Sequence, residues 1–143
     1  MRKHDLGLML AAALSAAASA PLLSKPAPTA APSKGGEILW DSFGVPHIYA
    51  KSEAGAFYGF GYAQTQSHGN LLLHMYGEAR AKAAEYWGPS FESQDKWLIA
   101  NDVPQRSINW YKTQTPQMRA NLDAFAAGIN AYAAAHRDRL DPS

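Results

Sequence analysis

The chain has 143 residues, room for one modest domain, and 47% of them are hydrophobic, enough to give that domain a core. A formal net charge of +1, with 17% charged residues and no long basic run, leaves no electrostatic footprint for nucleic acid. Cysteine is absent, which excludes a disulfide framework, thiolate metal sites and a cysteine nucleophile together.

Residues 1–20, MRKHDLGLMLAAALSAAASA, begin with Arg2 and Lys3, pass through an apolar run from Leu6 to Ala18 and end in small residues. That is the layout of a secretory signal peptide, so the protein is expected to be periplasmic or secreted. The run is too short and Ala-rich for a spanning helix, and no membrane association is expected once the signal is removed. Residues 21–36, PLLSKPAPTAAPSKGG, hold four prolines and no periodic apolar face, and read as an extended tether. The folded part is expected over 37–143.

EILWD and PHIYA are short β-rich runs separated by SFGV, which predicts two antiparallel strands. Gly44 can supply the positive φ of the connecting loop. Pro46 lacks a ladder donor and belongs at the start of the second strand or on an edge. Beyond Ala50 the pattern is helical. Between Gln66 and Trp87, Leu72, Met75, Tyr76, Ala79, Ala83 and Tyr86 recur at three- and four-residue steps, opposite Asn70, His74, Glu78, Lys82 and Glu85. One amphipathic helix ending at Gly88-Pro89 is the expectation, with Glu78 and Lys82 as a surface i, i+4 pair. A last helix opens with Thr115 as N-cap and Pro116 at its first position, burying Met118, Leu122, Phe125, Ile129 and Tyr132. Gly128 in its middle costs about 1 kcal/mol against alanine, which predicts a close approach to another backbone.

Candidate chemistry is sparse. Of His4, His47, His68, His74 and His136, the pair His68 and His74 stands roughly 240° apart around a helix, so one face cannot offer both to an ion. His136 sits near a helix end, where it complements the dipole. GFGYAQ, residues 59–64, lacks the third glycine and the preceding strand of a dinucleotide loop. Gly55, Gly59 and Gly61 read instead as points where a helix lies close on the sheet, with Phe57, Tyr58, Phe60 and Tyr62 mostly in the core. No G-x-S-x-G elbow is present. Glu78 and Glu85, seven apart on a helix, stand about 10 Å apart along its axis, which is long for a cooperating acid and base.

Four ordered blocks, ILWDSFGVPHIYA, AFYGFGYAQTQ, EARAKAAEYWG and LDAFAAGINAYAAAH, closely resemble the start of the α-chain of the penicillin acylase family, over about Glu37 to Pro142. That group comprises penicillin, aculeacin and acyl-homoserine lactone acylases. The resemblance implies an α+β fold class: a fragment of the four-layer αββα N-terminal nucleophile hydrolase fold, here one β-hairpin followed by mostly α-helices. It implies an amidohydrolase made as a precursor that cuts itself into α- and β-chains. The nucleophile is then the serine at the start of the β-chain, the expected partner, and the substrate is a small N-acylated molecule. No catalytic or metal-binding residue falls in this chain on that reading, and the substrate-binding residues stay unknown. No cofactor is implied for this segment, although a structural calcium is possible in the complete enzyme.

The resemblance further implies that the hairpin is scaffold, so that His47 hydrogen-bonds within the fold instead of moving protons. Asp41, Gly44, Pro46 and His47 match that hairpin, Gly61, Tyr62, Ala63 and Gln66 the following helix block, and Glu85 and Gly88 the next. Ser67 and His68 depart from it, because the family commonly has Asp there, often followed by Arg. Two readings follow. The first is the front part of an acylase α-chain, inactive alone, whose gene continues past Ser143. The second is a freestanding, non-catalytic exported helical binding module built on the same scaffold.

Overall fold

The computed structural model describes residues 36–140. The expected signal peptide and all of the tether except Gly36 lie outside the described residues, as does His4. Strands β1 (Gly36–Trp40) and β2 (Pro46–Ala50) pair antiparallel, with Ile38 opposite Ile48 and Leu39 opposite His47. Period-two alternation gives the ribbon an inner face of Ile38, Trp40 and Ile48 and an outer face of Glu37, Leu39, His47 and Tyr49. Ile38 is 1% exposed. The turn matches expectation, with Gly44 at φ +78° and Pro46 opening β2.

A two-stranded ribbon is marginal in water and needs a covering layer. Helix α1 (Glu53–Ala79) supplies it, starting at Ser52, whose hydroxyl accepts from the Gly55 amide at 3.1 Å. Gly59 faces Ile48: a Cβ built there would lie 2.7 Å from the Ile48 methyl group. Behind α1 runs α5 (Pro116–Ala135), capped by Thr115 accepting from the Met118 amide at 3.2 Å, as its sequence predicts. The two helices meet backbone to backbone. A Cβ on Gly61 would fall 2.1 Å from the Phe125 carbonyl oxygen, and one on Gly128 would fall 2.1 Å from that of Tyr58. The close approach predicted at Gly128 is therefore present. Around the crossing, Ile38, Tyr62, Ala63 and Tyr132 form the buried cluster, with the Tyr62 and Tyr132 rings edge to face at 5.3 Å.

The stretch from Gln66 to Trp87 is not one helix. It belongs to α1 up to Ala79, with a non-helical His68 (φ −139°, ψ 35°) interrupting the ladder, and then to a separate α2 (Ala83–Trp87). The stop is a Schellman motif: Ala81 takes φ +54°, its N–H donates to the Glu78 carbonyl, and the Lys82 N–H donates to the Gly77 carbonyl. Alanine occupies the position that glycine usually takes, which conceals the stop in the sequence. The turn rotates Lys82 away from Glu78, and it pairs with Glu85 instead. Met75, Tyr76 and Tyr86, expected on a buried stripe, are exposed, and so are Phe60 and Met118.

After Gly88 (φ +100°), a single 3-10 turn at Pro89–Phe91 leads into α3 (Glu92–Ala100) and α4 (Val103–Thr113). Tyr111 of α4 donates its hydroxyl to Asp123 of α5 at 2.7 Å. The chain leaves α5 through a second 3-10 turn, Arg137–Arg139, and Leu140 returns to Gly69, where an added Cβ would meet its methyl at 2.5 Å. Among the described residues no helix is long and apolar enough to cross a membrane.

Candidate functional site

Two places gather polar groups. The first is the hairpin turn. The Asp41 carboxylate accepts from the Phe43 and Val45 amides, both at 2.9 Å, while its second oxygen lies 3.2 Å from His47 Nε2. These bonds, led by the Val45 amide and then His47, hold the Asp41 carboxyl below its ordinary range. A depressed folded-state value has a fixed sign: the stabilisation is present above the unfolded value and is lost as pH falls through the lower, folded one. The Val45 amide proton is therefore expected to keep its exchange protection through the ordinary carboxylate range near pH 4 and to lose it only at lower pH. In Asp41→Asn that acid step should vanish, and amide exchange followed by NMR is the check. His47 has a side chain 51% exposed and meets the Asp41 carboxylate, so the turn pairs one carboxylate with one imidazole at the surface.

The second place is a cavity of about 580 Å³ between the C-terminal part of α1, α2 and α5. Leu73, Tyr76 and Gly77 of α1 form one wall, with Arg80 just after it. Tyr86 and Trp87 of α2 form the second, and Phe125, Ala126, Ile129 and Asn130 of α5 the third. Gly77 allows this shape, since a Cβ there would lie 2.3 Å from the Trp87 ring. His74 stacks on the same Trp87 ring at 4.0 Å and places Nδ1 2.9 Å from Glu78 Oε1. Tyr76 is exposed as a whole residue, but partial desolvation against the cavity wall still pushes its phenol up from the ordinary value.

The residues singled out in the sequence do not converge on one point. Asp41, Gly44, Pro46 and His47 share the hairpin turn; Gly61, Tyr62 and Ala63 lie in the α1–α5 contact; Gln66 is half-buried one turn further on. Glu85 is on α2, paired with Lys82, and Gly88 ends that helix. The break at Ala81 separates Glu78 and Glu85 onto different helices, so the helical spacing argued for them does not apply. His68 is exposed at the kink, and His136 caps α5, stacked on Tyr132 at 4.3 Å.

Sequence reasoning passed over Asp95. Its carboxylate, 7% exposed, accepts from the Ala83 amide at 3.3 Å and the Ala84 amide at 2.8 Å, so α3 caps α2 across a gap in sequence. The signal available was negative, since Lys82 at the N-cap has no capping side chain of its own. Asn121 was passed over too. It is buried, accepts from Gln117 and donates to Glu53 Oε2 at 3.2 Å, tying α5 to the start of α1. Ser93 and Lys96 also have the S-x-x-K spacing of some serine hydrolases, but the Lys96 ammonium is held by Glu92 at 2.7 Å.

The arrangement resembles known proteins along most of its length. The sequence profile of the penicillin amidase family matches residues 36–142. The acyl-homoserine lactone acylase PvdQ of Pseudomonas fluorescens (strain Pf0-1) is 30% identical over 93% of this chain and 17% of its own length. PvdQ of Pseudomonas syringae pv. tomato is 33% identical over 67% and 14%. Penicillin G acylase of Escherichia coli is 29% identical over 67% and 11%. The chain thus matches less than a fifth of the length of these relatives. Among solved structures, the thermostable penicillin G acylase of Alcaligenes faecalis superposes with a TM-score of 0.67 at 28% identity, covering 73% of this chain and 56% of that one. The described residues, a β-hairpin followed by helices, are therefore a portion of the N-terminal nucleophile hydrolase fold. With the profile matched from the first residue of β1 to beyond the last 3-10 turn, the chain belongs to the penicillin amidase family.

Proposed function

We propose that this chain is the front part of the α-chain of an exported acylase, which hydrolyses the amide bond of N-acylated substrates and is completed by a β-chain from the same precursor. The family match over 36–142 carries this reading. The attacking group is a serine hydroxyl at the start of the β-chain. Its own α-amine takes the hydroxyl proton, directly or through a water, and passes it to the leaving amine as the C–N bond breaks. Water then hydrolyses the acyl-serine ester, releasing the acid and regenerating the hydroxyl. β-Chain donors hold the oxyanion in both steps. A calcium ion, if the complete enzyme holds one, is structural and draws on residues beyond this segment.

In this reading the hairpin and the α1–α5 crossing are scaffold, and Asp41, Gly44, Pro46 and His47 fix the turn. The exposed surface supports a missing remainder over a freestanding binding module. Phe43 at the turn is 90% exposed, and Trp97, Ile99 and Trp110 on α3 and α4 are 62%, 62% and 60% exposed, which is costly unless another part of the protein covers them.

Acyl-homoserine lactones and acylated peptides are favoured over penicillin G as substrates, following the relatives whose names specify acyl-homoserine lactones. For the processed enzyme, kcat/KM is expected to rise with acyl chain length by about fourfold per methylene buried. A phenylacetyl group preferred over every linear chain would defeat that choice. No hydrolysis of any N-acyl compound by correctly processed protein would defeat the acylase reading itself.

A further inference from the structure

We propose that the cavity between α1, α2 and α5 is a binding site for a monocarboxylate with an apolar body, whose head pairs with Arg80. The cavity's volume of about 580 Å³ lies within the range of small-molecule sites, and most of its lining is aromatic or aliphatic. Its polar groups are few, and Arg80 alone among the lining residues is charged. Arg80 offers a permanent fork of donors, and the Tyr76 hydroxyl and Asn130 amide can add to it.

Arg80 is left without a carboxylate. Glu78 is engaged by His74 and Gln94, and Glu85 by Lys82, so both acids nearest to Arg80 in sequence are committed elsewhere. Among the described residues Arg80 has no ion-pair partner. Its backbone is fixed by the Schellman turn at the end of α1, which holds the guanidinium stem at the cavity edge instead of on a mobile loop. Charge selects among occupants. A cation is repelled by Arg80, and a neutral apolar molecule leaves the guanidinium unpaired, whereas a carboxylate satisfies it by a bidentate bond. The walls of Trp87, Phe125 and Ile129 then receive the tail. This inference does not depend on the acylase reading, and hydrolysis is a separate readout.

The test is calorimetric titration of the complete protein with decanoate, decanol and decylamine, each below its aggregation concentration. Decanoate is expected to bind at one site at least tenfold more tightly than decanol, with decylamine weakest. Arg80→Gln, at an exposed position, should keep the wild-type melting temperature, lose about tenfold in decanoate affinity and leave decanol unchanged. Ala126→Trp should remove binding of both. Equal affinity for acid and alcohol would overturn the proposal, as would an Arg80→Gln variant that binds decanoate like wild type. Absence of decanoate binding, as when another part of the polypeptide fills the cavity, would overturn it too.

Discussion

Gly128→Ala is expected to destabilise the protein by about 3 kcal/mol or more, although alanine is the better helix former by about 1 kcal/mol. The two effects have opposite signs, so the result decides between them. The added methyl would stand 2.1 Å from the Tyr58 carbonyl oxygen and 2.9 Å from the Tyr62 amide nitrogen. Those are backbone atoms in the middle of α1, and they cannot rotate away as a side chain can. Relief requires the helices to separate, which would loosen the packing of Tyr62, Tyr132 and Ile38. Gly61→Ala should behave alike, for its methyl meets the Phe125 carbonyl at 2.1 Å. Denaturant titration of the complete protein, or the yield of folded protein where unfolding is irreversible, measures both. Stabilisation of either variant would show that the helices do not touch at these glycines.

Asp95→Ala should cost about 2 kcal/mol, because it leaves the Ala83 and Ala84 amides without their acceptor at the buried start of α2. Asp95→Asn, which keeps one acceptor oxygen, should recover roughly half of that loss. The damage should be local. Trp87 and Tyr86 form one wall of the cavity, so freeing α2 should alter the environment of Trp87 while the hairpin amides keep their protection. Denaturant melts of both variants, with amide exchange alongside, separate this outcome from a global loss. An Asp95→Ala variant as stable as wild type would show that solvent, not this carboxylate, satisfies the α2 amides.

The hairpin and the last helix were legible because their signals are local. Gly44, Pro46, Thr115 and Pro116 each act within a few residues, and the structure places them where those local rules put them. Gly128 was legible for a related reason: a glycine inside a good helix pattern has a cost that packing must offset. What stayed hidden depends on contacts distant in sequence or on exceptions to the rules. Ala81 breaks a helix in a conformation that costs alanine roughly 1–2 kcal/mol, so no glycine announced the stop between Glu78 and Lys82. Asp95 caps a helix a dozen residues before it, beyond the reach of any capping-box pattern. The exposed Met75, Tyr76 and Tyr86 follow a periodicity that predicts burial, and the described residues alone do not bury them. The cavity too was illegible, since it needs the turn at Ala81 and the bare Gly77 before Trp87 can fold back over α1.

On the function proposed above, this chain supplies scaffold to an acylase whose nucleophile lies outside it. The most direct test is to mix the complete, processed protein with a long-chain N-acyl substrate, quench in acid during turnover and map the acylated peptide by mass spectrometry. One acyl group is expected, on a serine at the start of the β-chain, with none on residues 36–140 and no hydrolysis by the 143-residue chain alone. An acyl adduct on any residue between 36 and 140, or turnover by this chain without a β-chain, would contradict that function.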